Sequence, residues 1–141
     1  MKISAYHIVG FLLAIAALHF GDNALGIYDT QIQNGFVWFD NVLHALVGAT
    51  LALGLLRWLG KKNTMLSQTF TAITTLHFVL IAATAWELFE YIFFTLFPNY
   101  ALYLKLYSPS LVEAASDVFS NVFGAAILLI GFAIYKKSQS G

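Results

Sequence analysis

The sequence contains no cysteine and few charged residues. Without cysteine the chain forms no disulfide, holds no iron–sulfur cluster or cysteine-ligated zinc, and has no cysteine nucleophile. Basic and acidic residues number seven each, so the chain is formally neutral and lacks the basic surface typical of nucleic-acid-binding proteins. The sequence also has no glycine-rich phosphate-binding loop, which argues against a nucleotide-dependent enzyme.

Apolar residues make up most of what is present. Of the 141 residues, 60% are hydrophobic and 10% are charged, and the mean hydropathy is +0.76. An average soluble domain is roughly 45–50% apolar and about 25% charged. A soluble domain of 15.6 kDa could not bury so large an apolar share. The composition therefore predicts an integral membrane protein with a single domain, residues 1–141.

Four apolar segments are long enough to cross a bilayer, which takes about 20 mostly apolar residues. They cover approximately residues 5–20, 37–59, 65–97 and 111–135. The expected fold is an all-α polytopic membrane bundle of four transmembrane helices. The first segment resembles a signal peptide, but no convincing cleavage site follows it, so we expect it to be retained. The third, roughly 50 Å long as a helix, must tilt, extend beyond the membrane or break near residues 82–85.

The basic residues predict the orientation of the bundle. Four spans place both ends of the chain and the loop near residue 60 on one side, which then carries six of the seven basic residues. These six are Lys2, Arg57, Lys61, Lys62, Lys136 and Lys137. Only Lys105 lies on the other side, so the positive-inside rule puts both termini in the cytoplasm. We expect a prokaryotic plasma-membrane protein whose tyrosine-rich segment 99–110 lies on the outer surface.

All seven acidic residues fall on the predicted outer side, together with two histidines. Many of these polar residues are three or four positions apart, so they share one face of their helix. The pairs are His19–Asp22, Asp40–His44, Glu87–Glu90, Glu113–Asp117 and Asp117–Asn121. The outer halves of these segments contain no lysine or arginine that would neutralise them. We therefore expect the four polar faces to turn inward against one another.

Glu87 has the greatest need of a compensating partner. It lies eleven residues before Pro98, roughly 16 Å from the end of its helix. An aspartate at the centre of a membrane helix costs about 2.5–3.5 kcal/mol, and a glutamate at such depth must be protonated, hydrogen-bonded, solvated or bound to a cation. Carboxylates with imidazole ligands suit Zn, Mn, Fe or Mg. The pattern therefore favours a site for a divalent metal ion or for protons.

Three roles are predicted for the polar residues. The metal ligands are Asp40, His44, Glu87, Glu90 and Asp117. The catalytic candidates are Glu87, Glu90 and Asp117, because a carboxylate outside the coordination shell can act as a general base. The supporting residues are Asn121, His19 and Glu113.

Simpler roles are expected for several other residues. Ser110 and Glu113 have the spacing of a capping box, Asp22 and Asp29 are expected to be solvated loop residues, and His77 is expected to bond across helices. Small residues are expected to permit close helix packing. They are Gly48, Ala52, Gly124, Ala125 and Ala126.

Three motifs in this order resemble the VanZ-like and YjdF-like small membrane proteins. They are Asp40-Asn-Val-Leu-His44, Trp86-Glu-Leu-Phe-Glu90-Tyr91 and Asp117-Val-Phe-Ser-Asn121-Val-Phe-Gly124. Glu90 is similar to the YjdF-like pattern and Asn121 to the VanZ-like one, whereas Asn41 stands where VanZ-like sequences have a lysine. The resemblance covers about residues 37–133. It implies a helical membrane protein of the cell envelope without defining a reaction.

The leading hypothesis is a metal-dependent membrane enzyme acting on an envelope lipid or a lipid-linked substrate. One alternative is a cation or proton transporter or binding protein, which would need an oligomer because the inner halves of the helices offer few polar groups. Another is an accessory protein whose polar cluster only specifies helix packing. Haem bound by His19 and His44 is disfavoured by the acidic surroundings. Membrane lipids are expected partners, nucleic acid is not, and a homo-oligomer stays open.

Overall fold

The structure is a computed structural model that describes residues 4–26, 38–61, 67–106 and 110–138. These ranges contain five helices and no strand. The helices are α1 (Ala5–Leu25), α2 (Trp38–Lys61), α3 (Gln68–Leu96), α4 (Pro98–Leu104) and α5 (Leu111–Ser138). All but α4 are long and apolar enough to cross a membrane. The prediction of an all-α polytopic membrane bundle is therefore confirmed.

The first helix is longer than the apolar run that predicts it. α1 continues through Leu25, past the expected end at residue 20, and stops at Gly26, whose left-handed backbone (φ 70°) closes the helix. This additional turn carries Asp22, which is buried rather than solvated in a loop. The expectation for Asp22 is therefore wrong, because the polar turn after residue 20 is helical. Asp29 lies outside the described residues.

The third helix runs without interruption through residues 82–85, so the break considered there does not occur. Its 29 residues make a helix of about 44 Å, longer than the bilayer core of about 30 Å. The chain turns at Phe97, and Pro98 begins α4. Proline suits this position because the first residues of a helix have no intrahelical partner for their N–H groups.

The short helix α4 is attached to the end of α1. The Leu104 carbonyl accepts a hydrogen bond of 3.1 Å from His19 Nε2, and the Tyr103 carbonyl accepts one of 2.9 Å from Asn23 Nδ2. These carbonyls are among the last of α4, which have no partner within the helix. The expected surface segment 99–110 thus begins as a helix at the end of the bundle where α1 ends, and its residues 107–109 lie outside the described ranges.

Helices α2 and α5 form the main contact of the bundle. A Cβ atom at Gly48 would overlap the backbone of Asn121, and a Cβ atom at Gly124 would overlap the backbone of Ala45. Membrane helices use small residues in this way to bring their backbones together. The prediction that Gly48 and Gly124 are close-packing positions is confirmed.

One face of α3 packs against this pair. Its buried residues recur every three or four positions and are Thr75, Val79, Ala83, Glu87 and Glu90. Val79 forms an apolar cluster with Ala52 of α2 and Ala125 of α5. Glu87 and Glu90 lie about two and three turns farther along the same face. The bundle is therefore apolar at mid-height and polar towards the end at which α2 begins.

Candidate metal site

Asp40, His44 and Asp117 bring three ligand atoms within 4.8 Å of one another. Asp40 and His44 are one turn apart on α2, and Asp117 faces them from α5. His44 Nε2 lies 3.8 Å from Asp40 Oδ2 and 4.0 Å from Asp117 Oδ2. Ligand atoms about 2.0–2.2 Å from a tetrahedral zinc ion are about 3.4 Å apart. The two distances from the histidine are longer than this, so the three side chains would have to approach one another by roughly half an ångström to hold the ion.

Asn121 contacts the other nitrogen of the His44 ring. Asn121 Nδ2 lies 2.9 Å from His44 Nδ1 and also donates to the Asp117 carbonyl at 2.9 Å. An amide nitrogen only donates, so Nδ1 accepts, and the neutral ring carries its proton on Nε2, towards the two carboxylates. Asn121 Oδ1 is buried with no hydrogen-bond partner in the part of the chain that the structure describes.

Glu87 and Glu90 reach the same end of the bundle from α3. Both are buried, with 9% and 7% of their surface exposed. Both interact electrostatically with Asp117, and Glu90 also interacts with Asp40. Among the described residues the close group of ligand atoms consists of Asp40, His44 and Asp117. The two glutamates therefore lie beside this group, and their assignment as ligands stays a prediction.

The indole of Trp86 is a contact that the sequence did not indicate. Trp86 Nε1 donates a hydrogen bond of 2.9 Å to Glu90 Oε1, four residues farther along α3. Trp86 is 44% exposed and Glu90 is buried, so this bond joins the outward-facing surface of α3 to the site. The spacing of four is visible in the sequence, but tryptophan in a membrane helix is most often an interfacial residue and by itself does not indicate a site contact.

Glu113 and His19 both have structural partners. The Glu113 backbone N–H donates to Ser110 Oγ at 3.1 Å, so Ser110 caps α5 as predicted. Glu113 itself is half-buried and interacts electrostatically with Asp40 and Glu87. His19 Nε2 bonds to the end of α4. Both residues therefore lie near the group of ligand atoms, and His19 in addition attaches the end of α4 to α1.

Asp22 joins the site although it was expected in a loop. It is 3% exposed, and within the described ranges neither of its carboxylate oxygens has a hydrogen-bond partner. It interacts electrostatically with His19, on the preceding turn, and with Asp40 of α2. The spacing between His19 and Asp22 was the available signal. It carried little weight because the apolar run ends at residue 20.

A second polar contact between α2 and α5 lies next to Asp40. Asn41 Oδ1 accepts hydrogen bonds of 2.8 Å from Ser116 Oγ and from Ser120 Oγ. The serines are one turn apart, so both lie on the face of α5 that meets α2. The sequence gives no signal for this contact, because serine hydroxyls are common in membrane helices. Their bonds help fix the rotation of α5 that brings Asp117 to the site.

Within the part of the chain that the structure describes, His77 bonds to its own helix and not across helices, so that expectation is wrong. Its Nδ1 atom lies 2.9 Å from the carbonyl oxygen of Ile73 in the same helix. The side chain is exposed, because position 77 lies on the opposite side of α3 from the buried residues Thr75 and Val79. His77 is therefore separate from the polar site.

The fold and the site define a small helical membrane protein with clustered acidic and histidine side chains at one end. The chain belongs to the family described as predicted membrane protein (DUF2238), whose model matches residues 1–138. No match was found among curated proteins or among solved structures. The family agrees with an integral membrane protein, and the finer resemblance to VanZ-like and YjdF-like proteins stays a prediction.

Proposed function

We propose that this protein binds a divalent metal ion at the acidic end of the bundle and uses it in chemistry on a lipid or lipid-linked substrate of the cell envelope. The observation that carries the proposal is the convergence of Asp40, His44 and Asp117. Two carboxylates and one imidazole suit Zn, Mn or Fe, and a site that recruits further oxygen ligands suits Mg.

The surrounding charge favours a cation. Six carboxylates lie at this end: Asp22, Asp40, Glu87, Glu90, Glu113 and Asp117. Electrostatic interactions link each of them to at least one other member. Like charges gathered in a poorly solvated place repel one another, and a bound cation relieves that repulsion. Lys105, beyond the last turn of α4, is the one lysine or arginine that the described chain places at this end.

Metal binding at His44 would require a change of tautomer. The Nε2 atom that faces the carboxylates carries the proton while Asn121 donates to Nδ1. A turn of the Asn121 amide would place Oδ1 opposite Nδ1 and let the ring donate to it, which is how metal-binding histidines are usually oriented. That turn would give a partner to the buried Oδ1 atom and break the bond to the Asp117 carbonyl.

Glu87 and Glu90 are the proposed acid and base of the reaction, and Asp117 combines a ligand role with a catalytic one. A divalent ion held by the ligand group would supply Lewis-acid chemistry, and a carboxylate outside that group would accept or return a proton. The two glutamates lie beside the ligand group, in electrostatic range of Asp117. The exposed Trp86 bonded to Glu90 favours entry of a lipid substrate from the bilayer along α3.

The alternatives have less support. A cation or proton path would have to pass the fully buried cluster of Ala52, Val79 and Ala125 below the site, which favours a site closed on that side. Haem ligation would have to displace His19 from the Leu104 carbonyl. The accessory role is the second candidate, because the hydrogen bonds of Asn41 and Asn121 between α2 and α5 would also serve helix packing alone.

Metal analysis of the purified protein tests the proposal. After incubation with Zn, Mn, Mg or Fe and removal of excess metal, we expect near-stoichiometric metal in the wild type and little in His44→Ala. His77→Ala is the matched control, because it removes an exposed histidine away from the site, and it should retain the metal. Equal metal content in His44→Ala and the wild type, or no metal in either, would contradict the proposal and favour the accessory role.

The chemistry is tested separately from the metal. Membrane lipid extract incubated with the loaded protein should contain converted lipids detectable by mass spectrometry, and Glu90→Gln should abolish that conversion. Glu87→Gln tests the second glutamate in the same way. If metal binds in all variants but lipids stay unchanged, the site is a metal site without this activity.

The proposed orientation places the site at the outer face of a prokaryotic plasma membrane, with both termini in the cytoplasm. Because the chain has no cysteine, single cysteine variants report accessibility directly. In intact cells a membrane-impermeant thiol reagent should label Lys105→Cys and leave Ser138→Cys unlabelled. The reverse pattern would contradict this orientation. A homo-oligomer stays a prediction.

A further inference from the structure

A groove of about 990 Å³ lies at the end of the bundle opposite the acidic site. It is formed by the start of α1 and by the last turns of α2 and α5. Its lining is mostly apolar and includes Leu56 of α2 together with Leu128 and Phe132 of α5. Its volume is near the upper end of the roughly 300–1,000 Å³ found for ligand pockets. The groove therefore has room for a ligand with a large apolar part.

Two cations and a tyrosine border the same groove. Arg57 and Lys61 are one turn apart on α2, and Tyr135 faces them from α5. Among the described residues that line the groove there is no carboxylate, and the acidic residues of the four spans lie at the other end. The two positive charges consequently have no counterion supplied by the groove itself.

The combination of an apolar groove with uncompensated cations at its border selects an amphipathic anion. We infer that this groove binds an anionic phospholipid of the adjacent leaflet, with the phosphate at Arg57 and Lys61 and an acyl chain along Leu128 and Phe132. Basic pockets between membrane helices recognise anionic headgroups in this way, and tyrosine favours the same interfacial depth. A free phosphate would leave the apolar lining unfilled. The inference is independent of the proposed metal chemistry.

Gly131 offers a way to fill the groove without changing its charge. It lines the groove on α5, and a Cβ atom there would meet no atom within 4 Å. A leucine at this position would therefore project into the space that an acyl chain needs. Gly10 of α1 has the same freedom but does not line the groove, so it provides a matched control.

Lipid binding is measured with the full chain in phosphatidylcholine vesicles that contain trace spin-labelled phosphatidylglycerol. The immobilised fraction of the label should exceed that of spin-labelled phosphatidylcholine. Arg57→Gln and Lys61→Gln should each weaken the preference roughly fivefold, the size expected for one cation near a membrane surface. Lys136→Gln removes a charge at the same end but outside the groove, and it should leave the preference unchanged.

The apolar part of the inference has its own test. Gly131→Leu should reduce the immobilised phosphatidylglycerol with both cations in place, whereas Gly10→Leu should not. An equal loss in Lys136→Gln and Arg57→Gln would show unspecific attraction and overturn the inference. Displacement of the labelled lipid by soluble glycerol phosphate would also overturn it, because a headgroup alone would then suffice. Helical circular dichroism and size-exclusion elution should match the wild type in every variant compared.

Discussion

The amide nitrogen of Asn121 lies 2.9 Å from His44 Nδ1, across the interface between α5 and α2. The same nitrogen donates to the Asp117 carbonyl, which fixes the direction in which the amide points. One turn from His44, Gly48 lies directly against the Asn121 backbone. Asn121 therefore takes part both in the packing of the two main helices and in the choice of tautomer at the site histidine.

The tautomer of His44 is the first prediction. Without metal, the neutral ring should carry its proton on Nε2, because Asn121 donates to Nδ1. After metal binding the proton should be on Nδ1, because Nε2 becomes the ligand. Nitrogen-15 NMR of histidine-labelled protein distinguishes these tautomers by the shifts of the two ring nitrogens.

His44→Gln identifies the His44 signals by their loss, and Asn121→Leu removes the donor to Nδ1. We expect the metal-free preference for Nε2–H to weaken in Asn121→Leu, while the signals of His77 stay unchanged. A proton on Nδ1 in the metal-free wild type would contradict the arrangement of Asn121. No change of tautomer on loading would contradict ligation through Nε2.

The contact at Gly48 leads to the second prediction. Gly48→Ala places a Cβ atom on the backbone of Asn121, so α2 and α5 must move apart. Overpacking of this kind costs about 1–3 kcal/mol, and we expect that loss in the free energy of unfolding measured by denaturant titration in detergent. Gly10→Ala should change it little, because a Cβ there meets nothing within 4 Å. Equal stability of both variants would contradict the close contact.

The membrane fold was predictable because it follows from quantities that a sequence contains directly. Length and apolar content indicate spans, and Gly48 and Gly124 indicate close packing. The end of α1 was not predictable in the same way. Its last turn carries Asp22 and Asn23. Polar residues can continue a helix when they bond to or pack against another element, and the length of an apolar run gives no sign of such contacts.

The candidate site was predictable only helix by helix. Spacing placed Asp40 beside His44 on one face and Glu87 beside Glu90 on another. It did not specify how far each helix is rotated or shifted along its neighbour. That offset brings Asp117 to His44 and leaves the glutamates beside the ligand group of Asp40, His44 and Asp117. The offset is set in part by the hydrogen bonds from Ser116 and Ser120 to Asn41, which can be recognised only when α2 and α5 are seen packed together.

The bonds of Asn41 carry the third prediction. Asn41→Ala removes the acceptor of two hydroxyl groups, and the variant Ser116→Ala/Ser120→Ala removes both donors. Side-chain hydrogen bonds in membrane proteins contribute about 0.6 kcal/mol each on average. A double-mutant cycle on unfolding free energy should therefore give a coupling of about 1 kcal/mol. Strictly additive changes in unfolding free energy would contradict the shared hydrogen bonds. Unchanged metal content in all variants would show that these bonds serve helix packing and not metal binding.

Asp22 provides the fourth prediction, in which stability and metal binding change in opposite directions. In the described chain its buried carboxylate oxygens have no hydrogen-bond partner, so Asp22→Leu should raise the unfolding free energy of the metal-free protein by about 1–3 kcal/mol. The same change removes a negative charge in electrostatic range of Asp40 and should weaken metal binding. Isothermal titration with metal and denaturant titration measure the two effects.

The neighbouring residue is the control for this experiment. Asn23→Leu makes a comparable change one position along α1, but it breaks the bond to the Tyr103 carbonyl that attaches α4. It should therefore lower the unfolding free energy, by about 0.5–1.5 kcal/mol, and leave the metal affinity close to that of the wild type. If Asp22→Leu instead destabilised the metal-free protein as Asn23→Leu does, the carboxylate would have a stabilising structural role. Its burial beside Asp40 would then be no evidence that the site is built for a cation.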